Sequence, residues 1–76
     1  MNLIGRKIIE KRYNVMTRTS RCGTIETRYN ITDFKNEITT AEITYSSSGK
    51  KPGTIKTFHI EELNIDNNNY SCILYD

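Results

Sequence analysis

The sequence predicts an all-β domain: five short antiparallel strands forming a small barrel or a strongly curved sheet, with one short helical turn. Three observations carry that expectation. The apolar and branched positions hold 11 Ile and 10 Thr against three Leu and a single Ala. β-branched side chains fit a pleated, half-buried surface, whereas Leu and Ala fill helices. Apolar and polar residues alternate with period two through successive segments. Clusters of Gly, Pro, Ser, Asn and Asp then punctuate the chain at strand-length intervals.

The first two strands carry an internal echo. Ile9-Glu10-Lys11-Arg12-Tyr13-Asn14-Val15 returns as Ile25-Glu26-Thr27-Arg28-Tyr29-Asn30-Ile31. Alternation puts Ile, Tyr and Val/Ile on one face of each copy, with Glu, Arg and Asn on the other. Tyr13 and Tyr29 are accordingly expected in the core, and Arg12 and Arg28 outward beside a glutamate on the same face. The echo is too short to be a solenoid repeat. Residues 37–45 form the third strand, with Thr39, Ala41, Ile43 and Tyr45 on one face. Ser46 to Gly53 is a loop, because serines favour turns and Pro52 and Gly53 break pairing. Residues 54–60 are the fourth strand, residues 61–63 a helical turn, residues 66–69 a second turn, and residues 70–75 a short closing strand.

Several of these features together resemble an SH3-like barrel of the KOW or Tudor sort. They are Gly5 at the entry strand, Cys22-Gly23-Thr24-Ile25 opening the second strand, the long third–fourth loop, and Phe58-His59-Ile60-Glu61-Glu62-Leu63 leading into the last strand. The resemblance implies a closed five-stranded barrel. It is one of pattern and transfers no binding residues.

The chain has 76 residues and is read as one domain spanning 1–76. A domain of this size buries only about 60% of the surface its unfolded chain exposes, so an exposed binding face is easier to build than an enclosed pocket. No signal-peptide pattern and no membrane-length apolar stretch is visible. With two cysteines, Cys22 and Cys72, too few for a disulfide framework, the expected location is cytoplasmic with free thiols.

Catalytic and cofactor motifs are missing. His59 lies two residues before Glu61, but a zinc deaminase site also needs Pro-Cys-x-x-Cys. Neither cysteine has a second ligand at metal spacing. Gly49-Lys50 lacks the earlier glycine and the following Ser/Thr of a phosphate-binding loop. The expectation is a protein that is not an enzyme and uses neither cofactor nor metal, with His59 a surface strand histidine.

Charge is more informative. The formal net charge is +2, but residues 1–28 hold seven Lys/Arg against two acids, while residues 29–76 hold four against seven. In an up-and-down sheet, alternate connections emerge at the same end. That gathers Arg18, Arg21, Lys50 and Lys51 into a basic pole, and Asp33, Glu37, Glu61, Glu62 and Asp66 into an acidic one. Tyr45, at a strand end, and Tyr75, near the terminus, are the aromatics best placed for contact. Opposed poles orient a protein and speed its encounter with charged partners.

Two functions follow. The first is a protein-binding regulator or inhibitor that covers a surface of a larger partner; the short frame starting at Met1, rich in Asn, Ile, Lys, Thr and Tyr, resembles the small accessory and anti-defence proteins of phages and mobile elements. The alternative is a nucleic-acid-binding module using the basic pole. A self-associating barrel is a third arrangement.

Overall fold

The computed structural model describes residues 2–16 and 22–76. They form one antiparallel sheet of six strands: β1 (Lys7–Met16), β2 (Cys22–Lys35), β3 (Ile38–Ser46), β4 (Ile55–His59), β5 (Ile65–Asp66) and β6 (Tyr70–Tyr75). The spatial order is β4-β3-β2-β1-β6-β5. The sheet curls into a half-barrel. Among the described residues no ladder joins its edges, so of the two expected forms the strongly curved sheet is the one seen, not the closed barrel the resemblance implies, and β5 makes a sixth strand. At two residues, β5 is too short for alternation to reveal.

β1 to β4 run as a meander. A 3-10 turn (Ile60–Glu62) then carries the chain from the β4 edge to the β5–β6 hairpin on the far side of β1. That crossing helps close the core, because Ile60 and Leu63 pack against it. The turn is held by a reciprocal capping box: the Glu62 carboxylate accepts from His59 N at 3.0 Å, and Glu61 N donates to His59 Nδ1 at 3.4 Å. His59 thus has a capping role that strand alternation could not show.

Asn36 and Glu37 take φ of 52° and 65°, the left-handed pair of a tight hairpin turn whose twist matches the strands it joins. Gly5, at φ 89°, turns the chain so that the fully buried Leu3 enters the core before β1 begins. Left-handed backbone of that kind costs glycine little.

Register decides which residues are inside. Ile8 pairs with Tyr29 and Leu74, and Tyr29 with Ile43, so an apolar row crosses four strands on the concave face. Ile8, Tyr29, Ile31, Ala41, Ile43, Phe58 and Cys72 are all buried. The Tyr29 and Phe58 rings meet edge to face, 5.0 Å apart at 81°, the geometry that ring quadrupoles favour. Each large side chain so buried stabilises the fold by about 1.5–3 kcal/mol. Thr39 is also fully buried, and its hydroxyl has no hydrogen-bond partner among the described residues.

Three irregularities reset the in/out phase. The register shifts between Arg12 and Val15 in β1, where Asn14 has φ 58°. It shifts again between β2 and β3, where Thr44 and Thr32 are the extra residues. The extra Thr44 turns Tyr45 away from the Thr39, Ala41 and Ile43 face, correcting the expectation that all four share it. The bulge at Thr32 keeps β2 running through Asp33, which was expected in a connection, and brings Phe34 back onto the core.

Candidate functional site

The concave face is apolar in one row and polar in the next. Glu10 pairs with Thr27 and Cys72, and all three side chains are buried. The Glu10 carboxylate is enclosed by donors. Tyr29 donates its hydroxyl at 2.9 Å, Tyr70 donates its own at 2.6 Å, and Lys56 Nζ lies at 3.1 Å. Lys56 reaches it from β4, with its ammonium 4.8 Å from the centre of the Phe58 ring.

This arrangement settles the ionisation of the group. Burial pushes the Glu10 carboxyl upward, but the hydrogen bonds from Tyr70, Lys56 and Tyr29, with the Lys56 charge, outweigh it and hold the acid below its ordinary range. Burial, then the bond to Glu10, push both Tyr29 and Tyr70 upward, so each phenol stays protonated and donates. Burial likewise raises the Cys72 thiol. The result is a charge-matched cage whose acceptor and donors are mutually satisfied. A buried carboxylate persists when it is paired and fully hydrogen-bonded.

Sequence reasoning missed this cage. Ile9, Tyr13 and Val15 make the odd-numbered phase of β1 the more apolar one in the sequence, and that phase put Glu10 outside. The burial of Ile8, and with it Glu10, shows the even-numbered phase inside. Two expectations are thereby corrected. Tyr13 is half-buried on the convex face, its hydroxyl 3.3 Å from Ser71 Oγ, rather than in the core. Arg12 pairs with Ile25 on the concave side rather than facing outward with Glu26 and Arg28.

At the end of the cage lies a cavity of about 120 Å³ lined by Glu10, Arg12, Ile25, Thr27, Ser48 and Lys50. The loop between β3 and β4 is tied over it by Ser47, whose N donates to Glu26 O and whose hydroxyl accepts from Glu26 N, both at 2.9 Å. Lys50 and Lys51 are exposed on this loop, at the end of the sheet where β1 finishes and β2 begins. Arg18 and Arg21, the other two residues of the expected basic pole, lie outside the described residues.

The opposite end is acidic. Ile60 N donates to Glu37 O at 2.8 Å, which brings the β2–β3 turn against the 3-10 turn and groups Glu37 with Glu61 and Glu62. Asp33 is exposed on the same end of β2, opposite Thr40. Asp66 is not part of this group. It sits on β5 in register with Ser71, which itself pairs with Lys11 in the middle of the sheet.

The convex face carries the larger depression, about 560 Å³, lined by Lys7, Ile9, Arg28, Tyr29, Asn30, Thr44 and Tyr45. Register explains its make-up. Ile73, Ile9, Arg28 and Tyr45 form one row across four strands, and Tyr75, Lys7, Asn30 and Glu42 the next. Arg28 is oriented by Glu26 at 2.6 Å and lies 5.1 Å from the centre of the Tyr45 ring. Tyr45 and Tyr75 are 46% and 47% exposed, so both aromatics singled out from sequence open onto this face. Among the described residues no cluster of metal-ligating side chains and no membrane-length apolar helix occurs. No family model, curated protein or solved structure matches this chain.

Proposed function

We propose that this chain is a non-catalytic binding domain, a small regulator or inhibitor that covers part of a larger protein with the convex face of its sheet. One observation carries the reading: two adjacent cross-strand rows hold half-exposed tyrosines, isoleucine and unburied cations around the depression on the convex face. Tyrosine and arginine are the residues that most often anchor protein interfaces, because they bury large area at small entropic cost. Lys7 and Arg28 beside Tyr45 fit a partner segment that is acidic with an apolar or aromatic centre. The caged Glu10 supports the same reading from the other side of the sheet, since its lone pairs are already occupied within the fold.

The test is capture of partner proteins on immobilised wild-type chain beside Tyr45→Ala and Lys7→Glu variants. Loss of an anchoring tyrosine is expected to weaken a captured partner by about tenfold or more. Equal capture by all three chains would rule out the convex face.

A second reading rests on a separate observation. Arg12 and Lys50 line one cavity, next to Lys51 on the same loop, and a group of cations of this kind can track a phosphate backbone. Binding of a single-stranded oligonucleotide at low salt, lost at moderate salt and in an Arg18/Arg21/Lys50/Lys51→Ala variant, would favour it. No shift at low salt removes it.

A further inference from the structure

The meander ends on a strand whose outer edge carries no ladder among the described residues. β4 is the last strand of the sheet order, and the phase of its hydrogen bonds follows from its two ends. Ile60 N donates to Glu37 O and Ile43 N donates to Thr54 O. In an antiparallel ladder alternate residues direct their backbone groups to the same neighbour, so Lys56 and Phe58 face β3 while Ile55, Thr57 and His59 face away. His59 N is already taken by the Glu62 carboxylate. Among the described residues the N–H and C=O groups of Ile55 and Thr57 are left at the open edge, and the Ile55 side chain is 55% exposed there.

Charge along this edge has a direction. Lys51 precedes β4 and Glu61 follows it, both exposed. The five residues of β4 separate them by about 17 Å at the usual strand rise. A strand added parallel to β4 with the same ends would set lysine against lysine. An antiparallel copy sets each lysine against a glutamate.

We propose that a second copy of this chain docks along β4, antiparallel, about a two-fold axis passing beside Lys56. This is the axis that uses only the two residues with free backbone groups. It pairs Ile55 with Thr57 of the partner subunit, twice over, each pair exchanging two hydrogen bonds. The same axis brings Lys51 opposite the partner subunit's Glu61 at both ends. Lys56 meets its own counterpart at the centre, where like charges would oppose pairing, but each ammonium is matched by its own Glu10 at 3.1 Å. The contact is isologous, as two-fold interfaces are. It is independent of the convex depression, so the partner-capture outcome does not bear on it.

The area is small, which places the dimer among weak, concentration-dependent assemblies. Sedimentation equilibrium in low salt is expected to show the mass rising toward two chains between about 10 µM and about 1 mM. Lys51→Glu and Glu61→Lys should each weaken association by about tenfold or more, because both ends become repulsive. An equimolar mixture of the two variants restores attraction at both ends and should recover the wild-type mass. Thr57→Pro removes an N–H that points out of the sheet, a substitution an edge strand tolerates, and should give a folded monomer by circular dichroism. If Thr57→Pro unfolds, the charge-exchange mixture still decides. A wild-type chain that stays monomeric at about 1 mM, or pairs only with other proteins, overturns the proposal. So does a dimer that persists in Lys51→Glu or in folded Thr57→Pro, and so does a mixture that fails to recover.

Discussion

The two echo segments share most of their letters and live in opposite environments. In β2, Tyr29 is 1% exposed in the core, while Glu26 and Arg28 pair on the convex surface. In β1 the roles invert: Glu10 is 3% exposed inside, and Tyr13 lies half-buried outside. Register is the cause. Before the bulge, every residue of β1 pairs with a residue of opposite parity in β2, as in Ile9 with Arg28 and Arg12 with Ile25. Directly paired residues point to the same face. The echo offset is an even number of residues, so the two copies cannot face the same way. The second copy's tyrosine therefore meets the first copy's glutamate, and the Tyr29–Glu10 bond is where they join.

The sharpest way to break this comparison is to truncate both tyrosines. Tyr29→Ala should cost about 3–5 kcal/mol of stability in urea denaturation, as large core truncations do. Tyr13→Ala should cost under about 1 kcal/mol. Equal losses would mean that the two copies share a face.

The glutamates give the next largest contrast. Glu10→Gln leaves Lys56 and two phenols around a group that no longer carries charge. With Lys56 able to reach solvent, the expected cost is about 2 kcal/mol. Glu26→Gln, on the surface beside Arg28 and Lys11, should cost about 0.5 kcal/mol or less. Thermal denaturation of the two variants side by side measures the difference.

Removing only hydroxyls sharpens the picture further. Tyr29→Phe and Tyr70→Phe should each lose about 1 kcal/mol, while Tyr13→Phe changes little. The smallest effect is of opposite sign. Thr39→Val removes a buried hydroxyl that has no partner, and should raise stability by about 0.5–1 kcal/mol in the same denaturation assay. A loss there would show that the hydroxyl is bonded after all.

Much of this architecture was legible in the residues. Isoleucine and threonine content marked the β class, and the Ser46–Gly53 loop, the final strand and the helical turn were visible within a residue or so of their observed limits. What was not legible depended on long-range pairing. Ile9, Tyr13 and Val15 pointed to the wrong phase of β1, and the bulges at Thr32 and Thr44 flipped faces without any Gly or Pro to announce them. The cage was hidden for the same reason, because Glu10, Tyr29, Lys56 and Tyr70 come from four strands. Closure stayed open between a barrel and a strongly curved sheet, because nothing local distinguishes a barrel from a half-barrel. Of the expected charged ends, Lys50 and Lys51 lie on one loop and Glu37 lies against the turn of Glu61 and Glu62, while Asp66 is held apart on β5 opposite Ser71.

Glu10 is also where pH acts. Its folded-state acidity is strengthened, so its contribution to stability is complete above the ordinary carboxylate range and fades as pH falls through the lowered value. The most direct test is an NMR titration of the Glu10 side-chain carboxyl carbon in the folded protein. A midpoint clearly below the usual glutamate value of about 4.3 is the predicted result. A midpoint at or above that value would contradict the cage, and with it the inverted faces of the two echo strands.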